Sequence, residues 1–282
     1  MGLEILRTVG EVRRSVDPTI QTMIGLVPTM GALHEGHLAL FRAARRECRI
    51  VVASLFVNPT QFNDAKDLAA YPRDEQRDVR LASEAGVDYL FAPAAEEMYP
   101  PGYATWVELE GPASGLEGEF RPGHFRGVAT VCLKLFTIVR PHRAYFGQKD
   151  AQQVAVVRRM ARDLDLQLEI RVVPTVRDAD GLALSSRNVL LSPSERVRAL
   201  TVVRALEAGL AAHHAGRDPI TAARAVLGDL QTDYVVVAEL EGHPTLAIAA
   251  RVGRTRLIDN VPLDAESVRN ELSLESAEGA HR

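Results

Sequence analysis

Five apolar, β-branched runs alternate with helix-patterned segments between residues 23 and 173, and this alternation restricts the fold more than any other feature. Strand candidates lie at 23–27, 50–57, 87–91, 144–147 and 168–173, with helical spacing at 36–47, 73–85, 127–139 and 149–163. Strands buried on both faces need such continuous apolar runs, and helices between them act as parallel crossovers. A doubly wound α/β domain is expected, with ligands at the carboxyl ends of its strands. The segment 92–125, rich in Pro and Gly, is too long for a plain connection and reads as an excursion over the site, punctuated by a short strand near Thr105–Leu109. After about residue 176 the pattern changes. Ser192-Pro193-Ser194-Glu195 is a helix start with an N-cap Ser, Pro at N1 and Glu at N3. Val197, Leu200, Val203, Leu206 and Leu210 then line one face to about His213, and Asp218-Pro219 opens a second helix. Runs at 234–240, 245–250 and 255–259 have antiparallel spacing. The expected division is an N-terminal domain at 1–177 and a smaller α+β domain at 178–282, with a polar, loosely ordered tail from Asp264.

The chain has 282 residues, 46% of them hydrophobic, and a net charge of −4, so it carries no electrostatic footprint for nucleic acid. Of 33 basic residues only Lys66, Lys134 and Lys149 are lysine, which draws attention to any lysine in a motif. Cys48 and Cys132 lack metal-ligand spacing and sit in apolar stretches, as buried free thiols in a reducing cytoplasm would. No signal-peptide core is present at the N-terminus, and no run approaches the roughly 20 apolar residues of a membrane span. Neither a Walker P-loop nor a G-x-G-x-x-G turn is present.

Residues 28–38, Pro-Thr-Met-Gly-Ala-Leu-His-Glu-Gly-His-Leu, run from the first strand candidate into a helix. Free N–H groups and the positive end of the helix dipole make that junction an anion site. Gly31 and Gly36 keep side chains out of a phosphate's way, and His34 and His37, at i and i+3, share one face of the first turn. Asn58 and Gln61 follow the second strand and suit a hydroxylated small substrate. In Tyr145–Gln153, Gly147 permits close approach, Lys149 can neutralise phosphate, Asp150 can accept from a ribose hydroxyl, and Gln153 lies one turn from Lys149. Ser185-Ser186-Arg187 forms a compact phosphate clamp in a loop. Arg121 and His124 end the long excursion and could meet a carboxylate, while Asp78, on a charged helix, could touch Mg²⁺ or simply face solvent. Each stretch alone also fits an ordinary turn or loop. Four of them at strand–helix junctions, in order, do not.

The His-x-Gly-His turn resembles the HIGH signature of the nucleotidyltransferase superfamily that includes class I aminoacyl-tRNA synthetases. The set PTMGALHEGHL (28–38), FVNPTQF (56–62), YPRD (71–74), RPGHFRGVATVCLKL (121–135), FGQKDAQQ (146–153) and PTVRDADGLALSSRN (174–188) resembles the pantoate–β-alanine ligase family, over about two thirds of the chain. The resemblance implies a Rossmann-like doubly wound parallel sheet with a smaller C-terminal α+β domain. It implies ATP-dependent condensation of (R)-pantoate with β-alanine, giving pantothenate, AMP and diphosphate through an enzyme-bound pantoyl adenylate. Mg²⁺ and a cytoplasmic homodimer are implied with it. Carried over by residue, Met30, Gly31, Ala32, Leu33, His34, Glu35, Gly36 and His37 hold ATP, with His37 the proton donor. Gly147, Gln148, Lys149, Asp150, Val176, Leu184, Ser185, Ser186 and Arg187 complete the ATP site; by their own chemistry, as donors to charge developing on phosphoryl oxygens, His34, Lys149 and Arg187 join His37 as candidate catalytic residues. Gln61 and Gln153 bind pantoate, Gln61 also approaching β-alanine. Two departures stand out: Leu184 where the family usually has Met, and Asn63 where it has Gly, a position Asn fits by tolerating a left-handed backbone. A nucleotidyltransferase acting on a phosphorylated alcohol and a silent nucleotide sensor are the alternatives. The neutral Gln61 and Gln153 pair speaks against the first, and the intact His34, His37, Lys149 and Arg187 against the second.

Overall fold

The structure is a computed structural model that describes residues 2–16, 22–63, 65–240 and 242–264; the tail beyond Asp264 lies outside the described residues. The elements of the first part are β1 (Glu4–Leu6), α1 (Val9–Ser15), β2 (Ile24–Thr29), α2 (Glu35–Glu47), β3 (Ile50–Leu55), α3 (Ala65–Ala70), α4 (Glu75–Glu84) and β4 (Tyr89–Phe91). They continue with α5 (Ala95–Met98), α6 (Leu116–Phe120), α7 (His124–Val139), β5 (Arg143–Gly147), α8 (Ala151–Asp163) and β6 (Glu169–Val173). The second part holds α9 (Pro193–His214), α10 (Pro219–Leu227), β7 (Thr232–Leu240), β8 (His243–Val252) and β9 (Thr255–Pro262).

By packing, the described residues fall into two compact units, one of residues up to Gly147 with Gln152–Val173, the other of Gln148–Ala151 with the residues from Pro174 onward. In the first, six strands form a sheet in the order β1-β4-β3-β2-β5-β6, parallel throughout. Apolar side chains cover both faces: Val128, Cys132, Phe136, Val157 and Met160 on one, Leu38, Phe41, Ala44 and Ala82 on the other. This is the doubly wound sheet the alternation implies. The order reverses between β2 and β5, so the ligand crevice of such a sheet falls at their carboxyl ends, where Thr29 and Gly147 stand. Cys48 and Cys132 are buried free thiols, as expected.

Three sequence expectations are corrected. Thr105–Leu109 is not a strand, because the Val107 N–H donates to Thr130 Oγ1 on α7 rather than to a neighbouring strand. Val197 is 65% exposed. The rest of the expected face holds, with Val203 and Leu206 buried and Leu200 and Leu210 packed partly buried against the same core, and Ala199, Val202, Ala205 and Gly209 widen it; small residues let the helix approach the sheet, since a Cβ at Gly209 would lie 2.3 Å from the Leu246 side chain. Asn63 is not in the left-handed region; its amide donates to the Pro122 carbonyl.

In the second unit α9 and α10 pack on the antiparallel sheet β7-β8-β9. The helix start read at Ser192 is a full capping box, with Ser192 Oγ accepting from the Glu195 N–H. Among the described residues no helix is long and apolar enough to cross a membrane.

Candidate active site

The chain leaves β2 through Met30 into a turn that carries two successive left-handed residues, Gly31 (φ 85°) and Ala32 (φ 51°). Gly31 is required sterically, since a Cβ there would lie 2.8 Å from Leu55 Cδ1 and 2.9 Å from Asp78 Oδ2. Ala32 pays a conformational penalty of about 1–2 kcal/mol. Asp78 of α4 offsets it: Oδ2 accepts from the Ala32 N–H and Oδ1 from the Leu33 N–H, both at 2.8 Å. Asp78 is 1% exposed, and burial raises its pKa against the pull of these two donors. The carboxylate therefore serves the turn. With both oxygens engaged it is poorly disposed to a metal, and among the described residues no group of three or more His, Cys, Asp and Glu is arranged to hold one.

His34 is the N-cap of α2 and His37 its N3 residue, and each ring closes half of a reciprocal cap. His34 Nδ1 accepts from the Gly36 N–H at 3.2 Å, and His37 Nδ1 accepts from the His34 N–H at 3.3 Å. The rings lie 4.1 Å apart between centroids. An Nδ1 that accepts from a backbone N–H places the proton of the neutral ring on Nε2. Both imidazoles thus become Nε2–H donors at a helix N-terminus, where anions are favoured.

Gln61 ends a 3₁₀ turn after β3 and is only 8% exposed. Asn58 N-caps that turn and donates from Nδ2 to Gln61 Oε1 and to the Gly127 carbonyl, both at 3.1 Å. Tyr99 donates to Asn58 Oδ1 at 3.0 Å, and burial pushes its hydroxyl up to about 12, so it stays protonated. Gln61 Nε2 points at Met30 Sδ, 2.8 Å away. Arg121 Nη2 (3.3 Å) and His124 Nδ1 (3.0 Å) both contact the Gln61 carbonyl. Asn58, Arg121 and His124 therefore surround Gln61 as its supports. A cavity of about 650 Å³ opens at the carboxyl ends of β1–β4, lined by Met30, Leu55 and Asp78 together with Arg7, Arg73 and Glu97.

Gln153 is half-buried on the first turn of α8. Its neighbour Gln152 was not singled out by sequence, yet it holds the 92–125 excursion: Oε1 accepts from the Glu117 N–H, and Nε2 donates to the carbonyls of Pro112, Ser114 and Gly115. A Cβ at Gly147 would meet nothing within 4 Å, so open space adjoins the end of β5.

The second unit carries the remaining candidates. Lys149 lies in a 3₁₀ turn, its side chain 18% exposed and 3.9 Å from the Asp150 carboxylate. Leu184 donates from its N–H to the Val176 carbonyl (3.0 Å), and Arg177 pairs with Ala183 in an isolated bridge, which folds 176–184 into a tight loop. Ser185 Oγ accepts from the Arg187 N–H at 3.3 Å, and the Arg187 residue is exposed.

A family model described as pantoate–β-alanine ligase matches residues 4–262. The chain is 52% identical over 280 residues to a pantothenate synthetase of Moorella thermoacetica, spanning 93% of this chain and 99% of that protein. A crystal structure of pantothenate synthetase from Thermus thermophilus superposes with a TM-score of 0.88 at 47% identity, over 92% of this chain and 99% of the other. A pantoate–β-alanine ligase from Francisella tularensis, solved with β,γ-ATP and β-alanine, superposes with a TM-score of 0.80 at 33% identity, over 93% and 98% of the two chains.

Proposed function

The chain belongs to the pantoate–β-alanine ligase family, and from that premise we propose which of its residues do the work. The enzyme is an AMP-forming ligase of pantothenate biosynthesis that condenses (R)-pantoate with β-alanine at the expense of ATP, through a pantoyl adenylate. A free carboxylate would have to expel oxide, so it is a poor acyl donor. In the first step a pantoate carboxylate oxygen attacks the α-phosphorus and the bond to diphosphate breaks. In the second, the neutral β-alanine amine attacks the acyl carbon, AMP departs, and the amine loses its proton.

The reciprocal histidine cap is the observation that carries the residue assignment, because it turns both Nε2–H groups into preset donors. Charge grows on phosphoryl oxygens in the first step, and fixed donors there supply most of the catalysis. We assign that role to His34, His37, Lys149, Ser185, Ser186 and Arg187, with Met30–Gly36, Gly147, Gln148, Asp150, Val176 and Leu184 binding ATP. Gln61 and Gln153 are assigned to pantoate, with Gln61 also near β-alanine. Asn58, Arg121 and His124 act by holding Gln61, on the strength of their hydrogen bonds to it. Mg²⁺ is proposed as the counter-ion of ATP. It needs few protein carboxylates when phosphates and water complete its shell, which suits a chain whose Asp78 is committed to backbone amides. A cytoplasmic homodimer with domains at 1–177 and 178–282 completes the proposal.

The test is release of AMP and diphosphate from MgATP and pantoate, with and without β-alanine. Strong release only with both acids, with pantothenate found by mass spectrometry, is the expected result. ATP consumption without AMP, or indifference to β-alanine, would point to transfer of the nucleotide to another acceptor.

A further inference from the structure

The 3₁₀ turn that carries Lys149 follows β5 in sequence but packs with the second unit. Asn260, near the end of β9 and 5% exposed, is the side chain that holds it. Asn260 Nδ2 donates to the Lys149 carbonyl at 2.9 Å and to the Gln148 carbonyl at 3.1 Å, while Oδ1 accepts from Gln148 Nε2 at 3.1 Å. Both donors of the amide and one lone pair of its oxygen are directed at the turn.

The preceding residue serves the other nucleotide segment. Neighbours on a strand project to opposite faces. Asp259, also 5% exposed, accepts from Arg177 Nη1 at 2.6 Å and Nη2 at 3.2 Å, and Arg177 in turn donates to the Gly181 carbonyl at 3.2 Å. Asp259 Oδ1 further accepts from the Asn260 N–H at 2.9 Å, which joins the two side chains. One dipeptide of β9 thus ties the Lys149 turn to the base of the 176–187 loop. Burying an Asp and an Asn side by side is costly unless they are hydrogen-bonded, and here Asn260 bonds the backbone and Gln148 side chain of the Lys149 turn while Asp259 bonds the Arg177 guanidinium at the base of the loop.

We propose that Asn260 is a positioning residue for adenylation, setting the Lys149 ammonium through the backbone of its turn, with Asp259 bracing the opposite side. The proposal rests on the assignment of Lys149 to ATP. A displacement of about 1 Å at a reacting group can cost on the order of 10²-fold in rate.

The experiment compares full-length native enzyme with Asn260→Ala, Asn260→Asp, Lys149→Ala and the Asn260→Ala/Lys149→Ala double variant. Diphosphate release from MgATP and pantoate is measured in single turnovers, with thermal unfolding alongside. Asn260→Asp keeps the side-chain volume but loses both donations, so it decides the matter should the alanine variant not fold. The expected result is a rate loss of tens of fold for either Asn260 variant, with KM for pantoate unchanged. The double variant is expected to be no slower than Lys149→Ala alone, because the two losses share one route. Native-like rates in both folded Asn260 variants, losses that multiply in the double variant, or failure of both variants to fold would overturn the proposal. Failure of the Lys149 assignment would show separately, as full activity in Lys149→Ala.

Discussion

Asp78 and the two histidines divide the work of the first nucleotide turn. Asp78 holds Ala32 in its left-handed conformation through two short hydrogen bonds, while the imidazoles cap α2 with their Nδ1 atoms. Replacing Asp78 by Ala strands two amides, and we expect a loss of about 2 kcal/mol or more in urea unfolding, with Asn intermediate because it keeps one acceptor. Native stability in Asp78→Ala would remove the clamp from the account. His37→Asn separates the two duties of that residue. An Asn oxygen can still accept from the His34 N–H, so stability should hold, while adenylation should fall about 10²–10³-fold for want of an Nε2–H. A fall in stability without a fall in rate would mean that the ring matters as a cap alone. Sequence spacing made the His pair legible as an anion site. It did not reveal the clamp, because Asp78 is distant in sequence and its partners are backbone amides that no pattern marks.

Among the elements, α7 approaches the turn of Gln61 closely. A Cβ at Gly127 would lie 2.5 Å from the Thr60 carbonyl, so Gly127→Ala is expected to cost about 1–3 kcal/mol and to weaken pantoate binding by shifting Gln61. Unchanged KM for pantoate would show that the turn yields without moving Gln61. At the start of α9, Arg196 binds the carboxylates of Asp178 and Asp180, at 2.7 and 2.8 Å, and the Arg196 hydrogen bond holds the Asp180 carboxyl below its ordinary range. A lowered folded pKa stabilises the protein above the ordinary carboxylate value of about 3.9, and that share is lost as pH falls through the folded value. Arg196→Ala should therefore lower stability more near pH 7 than near pH 3. An equal loss at both pH values would assign the effect to packing of the arginine stem. Capping signals announce α9, and Thr8 and Glu11 form a capping box that marks the start of α1 in the same way. β1 left little to read: three residues with only Leu6 buried form an edge strand that exists through its pairing with β4.

At the scale of the whole molecule, the proposed homodimer predicts a light-scattering mass twice that of the chain, and the single-chain mass at working concentrations would exclude it. The amino-acid sequence by itself determined the class of the sheet, the antiparallel character of the C-terminal strands and the position of the His turn. Each of these follows from local rules: apolar period, caps, and glycine at a strand–helix junction. Tertiary structure alone decided that Asp78 is committed to backbone amides, that Asn58, Arg121 and His124 gather on Gln61, and that Asn260 holds the Lys149 turn. Apart from the local Asn58–Gln61 side-chain contact, those pairings join residues far apart in sequence through backbone carbonyl and N–H groups. A hydrogen bond to a backbone group leaves no trace in the identity of the residue that supplies it, so only the folded chain selects the partner.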